Sequence, residues 1–270
     1  MRAVRLLLLL LTLPIALSAQ SMPPPTSYTF APEAEQEIVR LVNRERQAQG
    51  LGALVMDERL RLVAREHSAR MATEGEVEHQ LPGESKFLLR LQTQKLRYDA
   101  SGENIAFNID AAGAHAALMN SPGHRANILE GQFNSIGVGV LRTRTGIYVT
   151  QDFIRSLPEA SVEEAEAMVA FHLNELRRAA GAPALNRVTV PELRKHACAM
   201  AASNKLNPHA LLSSRVANAL AFTAVDLAQT PASLDGLKTR PAKSFSVGAC
   251  YQSSATYENP VFWIVVVTYF

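Results

Sequence analysis

The sequence lacks any block of Lys or Arg residues beyond its first few positions, and its formal net charge is only +2. A nucleic-acid partner is therefore not expected. Beyond the N-terminus the sequence also lacks an apolar run of the roughly 20 residues needed to cross a bilayer. Its 270 residues are 47% apolar and 19% charged, a balance typical of a globular protein. That length suits one large domain or two of ordinary size.

The one long apolar run lies at the N-terminus and has the features of a secretory signal. Two arginines precede a run over residues 6–13 that is apolar except for Thr12, and small residues follow it. We predict a signal peptide over residues 1–19, cleaved near Ala19, and a secreted or periplasmic protein with no membrane span after cleavage. A retained anchor is the alternative. Residues 20–32 follow as a Pro-rich linker.

Helical patterns come next, and strand patterns come only later. Ile38, Leu41 and Val42 share one helical face, and a second helix is predicted from the N-cap Asp57 to the terminating Gly75. The stretches "SIGVGVL" and "GIYVTQDFI" alternate as strands do. Because the helices precede the strands, the pattern predicts an α+β arrangement and not a βαβ series.

The second half of the chain repeats this plan. "FHLNELRRAAGAPAL" lines up without a gap on "RLVNRERQAQGLGAL", and the final strands resemble each other as well. We predict an internal duplication, with units over residues 33–157 and 162–270. Two units that share a generic pattern are the alternative. The second unit has nothing like "SGENIAF" or "NSPGHRANIL", so a site built from those stretches would be confined to the first unit.

Two cysteines, Cys198 and Cys250, both fall in the second unit. An even pair in an exported chain favours a disulfide over two separately buried thiols. We predict that one lies on a helix and the other on a strand, so that the bridge joins two layers.

The stretch "NSPGHRANIL" predicts the start of a helix with a histidine in its first turn. Ser121 suits the N-cap and Pro122 the first helical position. His124 then lies three residues into the helix, where the positive end of the helix dipole favours a neutral imidazole. A neutral imidazole suits a metal ligand or a general base. The alternative is a capped helix with an incidental histidine.

Three further titratable residues adjoin the predicted helices and apolar runs. Glu103, in "SGENIAF", adjoins an apolar run, so its carboxylate must be either hydrogen-bonded or functional. His79 lies in a polar stretch after the second helix and by itself indicates only a solvated loop residue. His67 lies on the apolar face of that helix and is predicted to be part of the core.

The order of these motifs resembles the bacterial branch of the CAP superfamily, which covers cysteine-rich secretory proteins, insect venom antigen 5 and plant pathogenesis-related proteins. The resemblance spans residues 33–154, and its motifs are specific in combination. It implies an α-β-α sandwich with a cleft lined by two histidines and one or two acidic residues. The motifs that carry it are "HSARMA", His79, "SGENIAF", "NSPGHRANIL", "FNSIGVGV" and "YVTQDF".

Carried over by motif, His79, Glu103 and His124 match three positions of that cleft, and their neighbours Ser121 and Asn104 are expected to line it too. The second acidic residue of animal and plant members is absent, because residues 111–123 contain no Asp or Glu. The tryptophan usual in bacterial relatives is replaced by a leucine at position 118. A less polar cleft is therefore expected.

Three functions remain open from the sequence. The resemblance favours an extracellular binding module for a lipid, glycan or protein ligand. The alternative is a hydrolase in which His79, His124 and Glu103 hold Zn²⁺ or another divalent cation, with Glu103 able to act instead as a base. No HExxH-like motif fixes such a ligand set. The third is a structural knot, in which the same three side chains join loops by hydrogen bonds.

Overall fold

The computed structural model describes residues 29–208, 215–229, 232–257 and 259–270. The predicted signal peptide and most of the predicted linker lie outside this part of the chain. The end of that linker differs from the prediction, because Thr29–Phe30 forms strand β1 and pairs with a later strand. Within the described residues, no helix has the length and apolar character to cross a membrane.

The first unit is a five-stranded sheet between two helical layers. Its sheet runs β1-β4-β5-β3, and the short β2 pairs parallel with β4. The α1, α4 and α5 helices pack on one face, and α2 and α3 on the other. This confirms the α-β-α sandwich and leaves β3 at an edge of the sheet. The elements are α1 (Pro32–Ala48), β2 (Val55–Met56), α2 (Glu58–Glu74), α3 (Phe87–Thr93), β3 (Tyr98–Asn108), α4 (Ala111–Asn120), α5 (Pro122–Ile128), β4 (Ser135–Arg142) and β5 (Ile147–Ser156).

The two long helices begin and end where the sequence predicts. Pro32 opens α1, and the Asp57 side chain accepts hydrogen bonds from two free backbone N–H groups at the start of α2. Gly75 ends α2 at a φ of 73°, in the left-handed region that glycine tolerates best. The predicted apolar faces are buried.

Strand β4 carries glycines because α2 lies directly against it. A Cβ added to Gly137 would come within 2.3 Å of the Leu60 backbone, and one added to Gly139 within 2.4 Å of the Ala64 backbone. Any larger residue would push α2 off the sheet. The alternating glycines of "SIGVGVL" therefore set the distance between these two layers.

The four strands of the second unit run in the order β6-β8-β9-β7, which corresponds to β2-β4-β5-β3 of the first unit. The short β6 again pairs parallel with the next strand. Ser161 caps its first helix through a capping box, at the predicted boundary. A 3₁₀ helix over Ala232–Leu237 occupies the chain interval before β8. The other elements are α6 (Val162–Ala179), β6 (Asn186–Arg187), α7 (Glu192–Ser203), β7 (Val216–Ala224), β8 (Ser244–Gln252) and β9 (Val261–Tyr269).

The two units share side-chain anchors as well as topology. Asn43 exchanges two hydrogen bonds with the Leu54 backbone, at 3.0 and 2.8 Å, and Asn174 does the same with Leu185, at 3.1 and 2.9 Å. These shared contacts support the predicted duplication, which remains an inference about the origin of the chain.

The cysteine prediction is confirmed. Cys198 on α7 and Cys250 on β8 form a disulfide with Cα atoms 5.1 Å apart. The bridge joins a helical layer to the sheet of the second unit.

Candidate functional site

His79 and His124 meet at the exposed edge of β3, although they come from opposite layers of the sandwich. His79 lies in the segment between α2 and α3, and His124 lies on α5. Their ring centroids are 6.3 Å apart. Glu103, on β3 itself, contacts His79. The structure therefore brings together the three residues singled out from the sequence.

Glu103 is a buried carboxylate with two charged partners. Its side chain is 4% exposed, and Oε1 lies 2.9 Å from Nδ1 of His79, whose side chain is 55% exposed. Oε2 accepts a hydrogen bond from Arg90 on α3. A carboxylate at this depth needs such partners, because burying an unpaired charge is costly.

The two histidines carry opposite pKa shifts. The hydrogen bond to Glu103 is the main cause that raises the pKa of His79 above its usual 6.5. Burial lowers the pKa of His124, and the charge of His79 lowers it further. As the pH falls, His79 is therefore protonated before His124. Between these two protonation steps, a cationic imidazolium lies beside a neutral imidazole at the edge of β3.

A chain of ionisable side chains continues inward from Glu103. Arg90 donates to Oε1 of Glu84 at 3.1 Å, and the same oxygen lies 2.9 Å from Nδ1 of His67. His67 is fully buried on α2, as predicted. Its partner Glu84 also accepts from the backbone N–H of Leu81 at 3.3 Å. These contacts fix the loop that carries His79 against α2 and β3.

Asp152 is a site residue that the sequence reasoning missed. It lies directly opposite Glu103 in the β3–β5 ladder and is fully buried. Within the described part of the chain, neither of its carboxylate oxygens accepts a hydrogen bond. Burial raises the pKa of Asp152 well above its usual value, and the negative charge of Glu103 raises it further. The available signal was an acidic residue inside the strand pattern "YVTQDFI".

Arg90 and its partner Glu84 were also missed, although the sequence around Arg90 carried a signal. Arg90 stands among leucines in "FLLRLQT", and a charged residue in an apolar run that becomes buried must be paired. The sequence alone did not show that Glu84 and Glu103 would be the partners of Arg90.

Asn104 holds the α5 helix in place from inside the sheet. Its side chain is fully buried and donates to the backbone carbonyl of His124 at 3.0 Å and to Gln151 at 3.1 Å. Asn127 donates to Asn104 at 2.9 Å and to the backbone of Glu103 at 3.2 Å. Asn104 therefore positions His124, whereas we expected it to line the cleft.

Ser121 differs from the prediction in one respect. It occupies the N-cap position of α5, and Pro122 is the first helical residue, but the Ser121 hydroxyl makes no capping hydrogen bond. The helix is only seven residues long. Burial is the main cause of the lowered pKa of His124.

A cleft of about 740 Å³ opens beside His79 and Glu103. The start of α3 forms its other wall, where the side chains of Leu88 and Leu89 are exposed to 41% and 43%. Lys86 adds a cation to the same wall. The cleft therefore offers polar groups on one side and an exposed apolar pair on the other.

The side chains do not form a preassembled metal centre. Among the described residues, no group of three or more His, Cys, Asp or Glu side chains is arranged to hold a metal ion. Both oxygens of Glu103 are engaged, by His79 and Arg90. A metal ion bound by Glu103 would therefore compete with these two contacts, whereas the contact of Nδ1 with Glu103 leaves Nε2 of His79 as the ring nitrogen that could ligate an ion.

The second unit has apolar residues at the equivalent positions. Glu35 accepts from the backbone N–H of Val140 and Glu166 from that of Ala249, which aligns β4 with β8. The strand registers then extend this alignment to the neighbouring strands. They place Ala219 at the position of Glu103, Leu220 at that of Asn104, Val266 at that of Gln151 and Val267 at that of Asp152. A sheet of this topology therefore forms without the buried polar cluster.

Comparison with known proteins identifies the first unit. Residues 39–153 match the model of the CAP family, described as the cysteine-rich secretory protein family. The protein YkwD of Bacillus subtilis is 39% identical over 121 residues, which cover 44% of this chain and 46% of YkwD. The membrane protein YlbC of the same organism is 33% identical over 123 residues, covering 45% of this chain and 34% of YlbC. The matched segment spans less than half of either relative.

A crystal structure of an extracellular protein containing an SCP domain, from Bacillus anthracis, also matches. It is 34% identical, with a TM-score of 0.43, and the match covers 46% of this chain and 41% of that one. The family model and the identity to YkwD show that residues 39–153 form a CAP domain, which confirms for the first unit the resemblance drawn from the motifs.

Proposed function

We propose that this protein is an extracellular binding module, and that its cleft takes the anionic headgroup of a lipid at His79 and part of the lipid's apolar chain at Leu88 and Leu89. One observation carries the proposal: a protonatable imidazole, held by a buried carboxylate, faces an exposed apolar pair across an open cleft. A ligand that satisfies both sides must be amphiphilic. Glycan and protein ligands are the alternatives.

The N-terminal sequence and the disulfide support an extracellular location. Residues 1–19 have the composition of a secretory signal. A disulfide between Cys198 and Cys250 is stable in an oxidising compartment and rare in the cytosol. The Bacillus anthracis structure is described as an extracellular protein, and that description applies to the Bacillus anthracis protein.

The composition of the second unit argues against a purely structural role for the polar cluster. If the Glu103 and Asp152 pair were needed to hold the sheet, the second unit would need a counterpart. It has Ala219 and Val267 instead. Buried polar groups that a fold does not require favour a role in ligand binding.

The same contacts favour binding over metal-dependent hydrolysis. The two oxygens of Glu103 already contact Arg90 and His79, so a metal ion or a proton at this carboxylate would compete with both partners. The ring pair of His79 and His124 is the one feature that would favour a divalent ion. The alternative, a metal-dependent hydrolase, is tested by measuring the zinc content of the purified protein and of the His79→Ala and His124→Ala variants. Equal and negligible zinc in all three would rule it out.

The test of the proposal is sedimentation of the protein with vesicles. We expect binding to vesicles of the anionic lipid phosphatidylglycerol and weak binding to vesicles of the zwitterionic lipid phosphatidylcholine, because the protonated His79 side chain is positively charged. Binding should be stronger at pH 6 than at pH 8, since protonation of His79 is lost as the pH rises through its raised pKa.

Three variants make the test specific to the cleft. His79→Ala and Leu89→Ser should each weaken vesicle binding at least fivefold. Leu62→Ser is the matched control, because Leu62 on α2 is similarly exposed, at 50%, and does not line the cleft. Equal binding by all three variants, or no binding by the parent protein, would contradict the proposal.

A further inference from the structure

A second cavity lies between the two units, away from the cleft of the CAP domain. Its volume is about 360 Å³, within the range of about 300–1,000 Å³ typical of small-molecule sites. Arg97 and the inter-unit linker, residues 157–161 between β5 and α6, form one wall, and α6 and the segment after β7 form the other. Its apolar lining residues include Leu157, Pro158, Ala160, Met168, Leu227 and Ala228.

Arg97 closes one side of the cavity and ties the units together. It donates to the backbone carbonyl of Pro158 in the linker and, at 2.9 Å, to that of Val225 in the second unit. Its guanidinium lies 5.0 Å from the ring centroid of Phe262 and 5.5 Å from that of Tyr251. Arg97 is buried in these contacts, so its charge is not offered to an anionic ligand.

The carboxylates of the lining are also engaged. Glu159 pairs with Arg59 at 3.2 Å, and Asp226 lies 3.4 Å from Arg155. Glu164 accepts from the backbone of Ser161 in the capping box of α6. Each charged side chain of the lining already makes an ion pair or a hydrogen bond within the protein, so a charged ligand would have to displace one of these contacts. The walls of the cavity are mostly apolar, so a neutral apolar molecule matches them best.

We propose that this cavity is a second binding site, which takes a small, neutral, predominantly apolar molecule between the two units. The site does not depend on the function proposed for the cleft, because no residue lines both. A bound molecule would contact both units and therefore stabilise their association.

The test is a fluorescence titration of the whole chain, without its predicted signal, with the neutral probe N-phenyl-1-naphthylamine. Fluorescence should rise and saturate at micromolar probe. Ala167 is an exposed lining residue on α6, and Ala167→Trp should fill the cavity and weaken probe binding at least tenfold. Ala228→Trp, from the opposite wall, should do the same, which guards against a local defect in α6.

Two controls separate this site from the cleft. Ala179→Trp places the same side chain at an exposed position of α6 that does not line the cavity, and it should leave probe affinity within twofold of the parent. His79→Ala should also leave it unchanged. If Ala167→Trp and Ala228→Trp bind the probe as the parent does, if the parent gives no saturable signal, or if His79→Ala abolishes it, the proposal is wrong.

Discussion

Asp152 lies directly across the β3–β5 ladder from Glu103, and both carboxyl groups are buried. Glu103 is paired with Arg90 and His79, whereas Asp152 has no donor among the described residues. Two carboxyl groups on directly paired residues in a buried site cannot both be ionised without a large penalty. Burial and the negative charge of Glu103 both raise the pKa of Asp152, so Asp152 is protonated more readily than an ordinary aspartate.

We predict that Asp152→Asn is more stable than the parent at pH 7.5. The asparagine amide can donate to Glu103 without taking up a proton, whereas the native aspartic acid must be protonated on folding. Because burial raises the pKa of Asp152, the folded state binds more protons than the unfolded state at neutral pH. The advantage of the variant should shrink as the pH falls toward 4, which denaturant unfolding at several pH values measures.

The exposed carboxyl of Asp235 provides the control for this prediction. Asp235→Asn should change stability by less than about 0.5 kcal/mol at either pH, as is usual for surface substitutions. A constant difference between Asp152→Asn and the parent from pH 4 to pH 7.5 would show that Asp152 is ionised in the folded protein.

Arg90 is the cation on which two buried carboxylates depend. Replacing it with Met would leave Glu84 and Glu103 without their guanidinium partner. We predict a loss of about 3–5 kcal/mol in the free energy of unfolding, as for other buried pairs broken from one side. Arg155→Met, which breaks the more exposed pair with Asp99, should cost about 1 kcal/mol or less. Similar losses for both variants would contradict this account.

The layers of the fold were predictable because they follow from local patterns. The apolar faces of the two long helices, the Asp57 cap and the Gly75 stop all specify structure within a few residues of themselves. Strand β1 was missed for the opposite reason. Thr29 and Phe30 are a strand only because β4 lies beside them, a contact across more than a hundred residues.

The candidate site was predictable only through the family resemblance. Nothing in the spacing of His79, Glu103 and His124 shows that they meet, because they come from a loop, a strand and a helix in different layers. Asp152 was missed because strand alternation gives the face of a residue but not its partner across the ladder. Asn104 was expected to line the cleft, but its side chain is fully buried, because successive residues of a strand point to opposite faces and Glu103 takes the other face.

His115 gives a pH dependence of stability opposite to that of Asp152. It is buried between α4 and α1, and burial lowers its pKa below 6.5. Below about pH 6.5 the unfolded chain therefore binds a proton that the folded protein resists, so stability contributed by this group is lost as the pH falls. His115→Leu should lose less stability than the parent between pH 7.5 and pH 5.

The partner Glu45 supplies the check on this prediction. Its carboxylate lies 3.9 Å from Nε2 of His115 and opposes the lowering of the histidine pKa. Glu45→Gln should therefore steepen the loss of stability at acid pH. If neither variant changes the slope between pH 7.5 and pH 5, His115 does not control acid stability.

The disulfide closes a long loop within the second unit, with a sequence separation of 52 residues. Restricting the unfolded chain over that length is worth about 4 kcal/mol by the loop-entropy model. Cys198→Ala combined with Cys250→Ala should lower the free energy of unfolding of the second unit by about that amount. The CAP domain should keep its own stability, and hydrogen exchange followed separately in the two units would show whether the loss spreads beyond the second.

The start of α5 provides a test of what holds His124. Because the Ser121 hydroxyl makes no capping bond, Ser121→Ala should change stability by less than about 0.5 kcal/mol. Asp57→Ala should cost about 1 kcal/mol, since Asp57 caps α2 with two hydrogen bonds. Asn104→Ala should instead shift the His124 ring, because it removes the hydrogen bond to the His124 carbonyl. The nuclear magnetic resonance titration of His124 measures this effect. A changed titration in Ser121→Ala and an unchanged one in Asn104→Ala would mean that the cap, and not the buried amide, positions the imidazole.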